Sequence, residues 1–251
     1  MLPFPENTSC EGFSLLRVPS FLLTGLASRV IGFTSLGRGI AQADAVRAYY
    51  RRARGNEPSY DVLDLNSVPY QRFLQSAEAA IPPLQGGAAN VIDLGCGHFS
   101  FLRYLVAKDC PPAAYHGVDL YINGVERLTF KAWTAEEADI STGAFVCPPS
   151  VNIVFMCNSL VYCPNTDRIL SKVSDDLGQS RYVVLIEPVK SLFWEVYFSG
   201  VALSFRTPEE SAVEFAKFGW SAVCFRKMYL RRLGKRWCWP IAYLVVFAKE
   251  V

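Results

Sequence analysis

The chain has 251 residues, 51% hydrophobic and 19% charged, so it can bury a large core and is not a disordered polymer. The net charge is +2, and the densest basic stretch, residues 227–236, is too narrow for an extended nucleic-acid footprint and reads as a solvated hairpin or helix end. Eight cysteines are scattered without a C-x-x-C pair or a histidine at ligand spacing, which argues against zinc and against a small disulfide scaffold and for a reducing, cytoplasmic compartment.

Residues 21–31 are apolar, but they are short and contain Arg29, so they read as a buried helix and not as a secretory leader or a membrane span. Residues 41–53 and 69–80 carry apolar side chains at helical spacing, the second run with Pro69 placed for a first turn. The Pro and Gly residues between 82 and 87 mark a boundary. We expect residues 1–87 to form a helical lid and residues 88–251 to form the main domain.

Beyond the boundary strands and helices alternate. Residues 91–95 read as a strand, 99–107 as a helix, 114–120 as a strand and 124–133 as a helix. Residues 144–147 read as a short third strand or a loop. Residues 151–157 form a stronger strand, and 166–177 a helix capped by Thr166 or Asn165. Residues 181–187 form a buried strand ended by Pro188. An apolar, aromatic insertion, residues 189–205, holds Trp194, Tyr197 and Phe198. A helix over 208–218 has Thr207 as its cap and Gly219 at its end, and residues 221–229 and 241–249 suit a terminal antiparallel pair. The alternation implies a doubly wound, mostly parallel α/β sheet, and strands apolar on both faces fit helices on both sides. Ligands of such sheets bind at the carboxyl ends of the strands, near the switch point.

The densest chemistry lies at VIDLGCGHFSFLRYL, residues 91–105. A strand ends in Asp93, Gly95 and Gly97 flank Cys96, and a helix follows. Gly95 permits a tight turn, Gly97 lets the backbone approach a ligand, and the helix start offers N–H groups to an anion. About 20 residues further on, Asp119 closes the next strand in GVDL, where a carboxylate can accept bonds from both hydroxyls of a ribose.

On these residues the chain resembles the class I S-adenosylmethionine-dependent methyltransferases, over residues 90–249. DLGCG resembles that family's first motif and GVDL, with Asp119 and Leu120, its second. ADI (Ala138, Asp139, Ile140) resembles the third, where the acid meets the adenine amino group and the apolar neighbour packs on the ring. MCNSLVYCPN, residues 156–165, resembles the stretch after the fourth strand, and VVLIEP the fifth strand. The resemblance implies a Rossmann-like methyltransferase fold that binds S-adenosylmethionine through Asp93, Gly95, Cys96, Gly97, Asp119, Leu120, Asp139, Ile140 and Asn158, leaving S-adenosylhomocysteine as product. Two positions depart from the family pattern. Phe99 stands where a third glycine would fall, and Tyr162 where many relatives carry a histidine. The main rival on the same scaffold is a dinucleotide: Gly95, Gly97 and Ser100 loosely meet that fingerprint, but Asp93-Leu94 precede it where a glycine is usual.

Methyl transfer is a direct displacement, so alignment is the main requirement, and a base is needed only if the acceptor must lose a proton. His98, Tyr162 and Glu187 are the candidates. Their structural alternatives are a backbone-bonded loop histidine, a packed aromatic and a capping or paired acid. Asn158 lacks the following Pro-Pro-aromatic of enzymes acting on nucleobase amines. The expected acceptor is a small hydrophobic or amphipathic molecule, lined by the aromatic insertion. Two further readings are a binding protein that keeps the fold without catalysis and a peripheral membrane enzyme acting on lipids.

Overall fold

A computed structural model describes residues 8–11, 68–120, 122, 130, 132–163, 165–176, 182–191, 204–231 and 238–249. Eight strands form one sheet: β1 (Thr8–Glu11), β2 (Asn90–Leu94), β3 (Ala114–Asp119), β4 (Trp133–Glu137), β5 (Ile153–Cys157), β6 (Tyr182–Pro188), β7 (Ser221–Arg231) and β8 (Cys238–Ala248). Among the described residues five helices accompany them: α1 (Val68–Gln75), α2 (Pro82–Gln85), α3 (Ser100–Ala107), α4 (Thr166–Asp176) and α5 (Pro208–Ala216). The strand order is β1-β7-β8-β6-β5-β2-β3-β4. Strands β2 to β6 run parallel to one another, and β8 is antiparallel to both β6 and β7. The order reverses between β2 and β5, so the switch point lies there, with the carboxyl ends of β2, β3 and β5 around it.

The apolar strands serve two cores. Val91, Ile153, Phe155, Val184 and Ile186 face one cluster, where Phe73 and Leu74 of α1, Ile81, Leu84 and Phe101, Leu102 and Leu105 of α3 pack. Ile92, Leu94, Val154, Met156, Val183 and Leu185 face the other, against Ile169, Leu170 and Val173 of α4 and Phe215 of α5. Strict alternation between two buried faces leaves no polar phase, hence the continuous apolar runs in the sequence. Stacked rings fasten a helix to each face: Phe101 on Phe155 with centroids 3.8 Å apart, and Phe215 on Phe247 at 4.0 Å. Thr207 caps α5 in a reciprocal box. Its hydroxyl accepts from the Glu210 amide at 3.1 Å, and the Glu210 carboxylate accepts from the Thr207 amide at 2.8 Å.

Two strands differ from expectation. The third strand of the parallel half is Trp133–Glu137, while residues 144–147 are irregular and Phe145 turns into the core. β4 is an edge strand and only partly buried, so WTAEE needs no apolar run and leaves little trace in the sequence. The helix expected over 124–133 falls outside the described residues up to 129, and Trp133 belongs to β4. Thr8–Glu11 adds a strand parallel to β7, in a region expected to be helix and loop. The segments 21–31 and 41–53, and Trp194, Tyr197 and Phe198, lie outside the described residues. Among the described residues no helix is long and apolar enough to cross a membrane, and no cluster of three or more His, Cys, Asp or Glu could hold a metal.

Candidate active site

The loop after β2 is held by the neighbouring strands. The amides of Gly95 and Cys96 both donate to the Val118 carbonyl, at 2.7 and 3.2 Å, which bends the chain over the end of β3. Gly95 has φ +88°, and a Cβ there would stand 2.5 Å from the Ser159 Cβ, so only glycine fits between the ends of β2 and β5. Gly97 has φ +48° and open space on its Cβ side. Its amide donates to Asp119 Oδ2 at 2.8 Å. The glycine bend and the acid closing β3 thus meet directly.

Phe99 stands in the left-handed region, φ 58° and ψ 37°, just before α3. A glycine is the usual occupant of such a conformation. The loop backbone keeps the shape a third glycine would allow, while the ring turns into the core, edge-on to Trp133 with centroids 5.5 Å apart and 6.2 Å from Tyr115. Left-handed backbone costs about 1–2 kcal/mol, and burying a Phe ring returns about 1.5–3 kcal/mol, so the exchange is tolerated. Gly117 makes the room: a Cβ there would lie 2.8 Å from both Cys96 Sγ and Phe99 Cε1. Cys96 therefore points inward and offers the loop only its backbone. Burial pushes its thiol well above the ordinary range, with the charges of Asp93 and Asp119 adding to the rise.

Asp93 lies beneath this loop, 2% exposed, and accepts a hydrogen bond from the Tyr115 hydroxyl. Burial raises its carboxyl to about 7, the Tyr115 bond opposes that rise, and Asp119 adds to it. Asp139 begins the turn after β4. Its Oδ1 accepts from the Ser141 amide at 3.0 Å and the Ser141 hydroxyl at 2.6 Å, while Ala138 N–H bonds the Asp119 carbonyl at 2.9 Å. The third loop is so tied to the second. Ile140 packs in the second cluster beside Leu94 and Val118, and Leu120 is half-buried just after β3.

Across the switch point, Asn158 follows β5 with φ +53°. Its amide extends the ladder to the Ile186 carbonyl at 2.8 Å. The Asn158 Oδ1 and the neighbouring Ser159 Oγ are buried without a hydrogen-bond partner. Buried polar atoms of this kind need an explanation, and a bound polar group is one. The next three amides turn to Glu187 at the end of β6. Oε1 accepts from Ser159 at 3.0 Å and Leu160 at 2.8 Å, and Oε2 from Val161 at 3.3 Å. Burial raises the Glu187 carboxyl to about 7, against the pull of these amides and Arg206. Tyr162 ends the 3₁₀ turn Leu160–Tyr162, half-buried against the first cluster, and His98 is exposed on the glycine loop.

The fold thus brings Gly95, Gly97, Asp119, Asp139, Asn158 and Glu187 to one edge of the sheet. Sequence reasoning missed Ser159, Tyr115 and Gly117. Only Gly117 had a signal, as the glycine two places before Asp119 in the second motif. The others depend on contacts between distant strands.

No protein-family model and no curated protein matches the sequence. Solved structures do. An S-adenosylmethionine-dependent methyltransferase from Mesorhizobium loti is 15% identical, with a TM-score of 0.59 over 73% of this chain and 99% of that one. The DhpI protein, solved with S-adenosylhomocysteine, gives 0.55 at 16% identity over 82% of this chain and 96% of its own. Magnesium protoporphyrin IX methyltransferase of Synechocystis PCC 6803, also solved with S-adenosylhomocysteine, gives 0.50 at 16% identity over 73% and 84%. Setting aside β1, the sheet runs β4-β3-β2-β5-β6-β8-β7 and is mostly parallel with an antiparallel terminal pair, as the family resemblance implies, and the chain has the Rossmann-like fold of the class I S-adenosylmethionine-dependent methyltransferases.

Proposed function

We propose that this chain binds S-adenosylmethionine at the carboxyl ends of β2, β3 and β5 and transfers its methyl group to a small hydrophobic or amphipathic acceptor. The observation that carries the reading is the Gly97–Asp119 hydrogen bond with open space beside Gly97. An acid and a side-chain-free backbone stand together there, as an adenosine with an amino-acid tail requires. The unpartnered Asn158 and Ser159 oxygens across the switch point suit hydrogen-bonding groups of the same ligand.

In this reading Gly95, Cys96 and Gly97 form the backbone wall, and Asp93 supports it from beneath. Asp119 with Leu120 holds the ribose, Asp139 with Ile140 borders the adenine, and Asn158 meets the amino-acid tail. When bound, the cofactor supplies an electrophilic methyl on a sulfonium. The residues then have to align the acceptor, exclude water and, for an acceptor that must lose a proton, take it up. Tyr162, half-buried on its turn, is suited to positioning an acceptor, and His98, at the exposed rim, to moving a proton.

The acceptor side is assigned to residues 1–87 as a lid and to the aromatic residues 194, 197 and 198. The stem of the latter segment leaves β6 at the site's edge, and the Lys190 amide bonds the Arg206 carbonyl at 3.4 Å. We place the enzyme in the cytoplasm. The test is transfer of a labelled methyl group from S-adenosylmethionine to fractionated cell extract. Label in small apolar metabolites is expected; label confined to protein, nucleic acid or lipid vesicles would refute the acceptor assignment.

A further inference from the structure

We infer that Glu187 is a positioning residue: its carboxylate locks the turn after β5 in the shape that presents Asn158 and Tyr162 to the cleft, and it does not serve as a base for the transferred group. Its role toward ligand rests on the methyltransferase reading; the lock itself does not.

The geometry is that of a ladder handed over. The Asn158 amide still pairs with the Ile186 carbonyl of β6 as a strand would. The next residue of β6 is Glu187, and its side chain takes over from the backbone, collecting the amides of Ser159, Leu160 and Val161 at 2.8–3.3 Å. Both carboxylate oxygens are used, and the residue is 4% exposed. A base would need an oxygen open to the acceptor. The turn so held contains Asn158 in left-handed backbone, which persists in a non-glycine residue only where its surroundings enforce it. Leu160 and Val161 are buried, which anchors the turn from below.

Glu187 is braced in turn. Among the described residues, the Arg206 guanidinium acts on Glu187 electrostatically, and the Glu187 charge acts in turn on the Tyr243 hydroxyl of β8 and the Cys163 thiol. Arg206 is fixed by Glu214 at 2.6 Å and by the Thr166 hydroxyl at 2.9 Å, and Tyr243 by the Ser211 hydroxyl at 2.8 Å. The Ser204 amide donates to the Val161 carbonyl at 3.3 Å, so the end of the insertion after β6 is tied to the same turn. The carboxylate thereby joins β6 to the turn after β5, and the Ser204–Val161 backbone bond adds the end of the insertion to the same turn.

The experiment measures amide hydrogen exchange and S-adenosylhomocysteine affinity on the full chain, unaltered and as Glu187→Gln, Glu187→Asp and Asp119→Ala. In the unaltered protein the Ser159, Leu160 and Val161 amides should exchange as slowly as those of β6. Fast exchange there overturns the lock without need of any variant. In Glu187→Gln, exchange of these amides should rise at least tenfold while β2 stays protected, and product affinity should fall at least tenfold. A base removed from the site would leave product binding unchanged, so unchanged affinity in Glu187→Gln, beside the loss expected in Asp119→Ala, overturns the positioning role. If the unaltered protein binds no product at all, the methyltransferase reading fails, and the exchange data alone decide the lock. Should Glu187→Gln not fold, Glu187→Asp, one methylene short of all three amides, carries the same comparison.

Discussion

Gly117 shows how narrow the tolerance beneath the loop after β2 is. A methyl group there meets Cys96 Sγ and Phe99 Cε1 at 2.8 Å, and neither neighbour can withdraw, because both side chains are buried in the first core cluster. Overpacking of this kind costs about 1–3 kcal/mol. Gly117→Ala should therefore lower the melting temperature and loosen the loop above it; an unchanged melting curve would show that the loop floats free of β3. The residue scale is also where the sequence was least legible. Phe99 reads as a missing glycine and hence as a reshaped loop. The structure keeps the glycine-like backbone and hides the ring, because β3 opposes it with a glycine, and no local pattern records that pairing.

Among the elements, β2, β5 and β6 were legible because both faces are buried, and α5 because its cap and its terminal glycine are local chemistry. β4 was not, since an edge strand with Glu136 and Glu137 lacks apolar alternation, and β1 was not, since its partner β7 lies at the far end of the chain. The β2–β3 pair carries an electrostatic consequence. Asp93, facing Tyr115, Cys96 and Asp119, has its carboxyl raised from 3.8 to about 7. A raised folded value means that the native state holds the proton more tightly than the unfolded chain. The contribution is full below about pH 4 and is lost as pH rises through about 7. Glu187 shifts in the same direction, so Asp93→Asn should remove only its own share, about 3 kcal/mol of the stability change between pH 5 and pH 8. Denaturant melts of both proteins across that range check this; parallel profiles would contradict the burial of an ionisable Asp93.

At the scale of the molecule, five parallel strands and an antiparallel pair place the ends of β2, β3, β5 and β6 along one edge. Residues from 93 to 187 are collected there by topology alone, which is why the motifs at the ends of β2 and β3 were readable from spacing. The Glu187 lock and the unpartnered oxygens of Asn158 and Ser159 were not, because they exist only after β5 meets β2 and β6. Helix α1 and Ile81 share a core with α3, so the packing runs across the boundary proposed at residue 87. The most direct test is calorimetric titration of S-adenosylhomocysteine into the unaltered chain and into Asp119→Ala. Two charge-assisted hydrogen bonds contribute about 1.5–3 kcal/mol each, so the unaltered chain should bind and the variant, still folded, should lose about a hundredfold or more in affinity. Equal affinity in the two proteins, or binding of NAD in place of the methyl-donor product, would contradict the site.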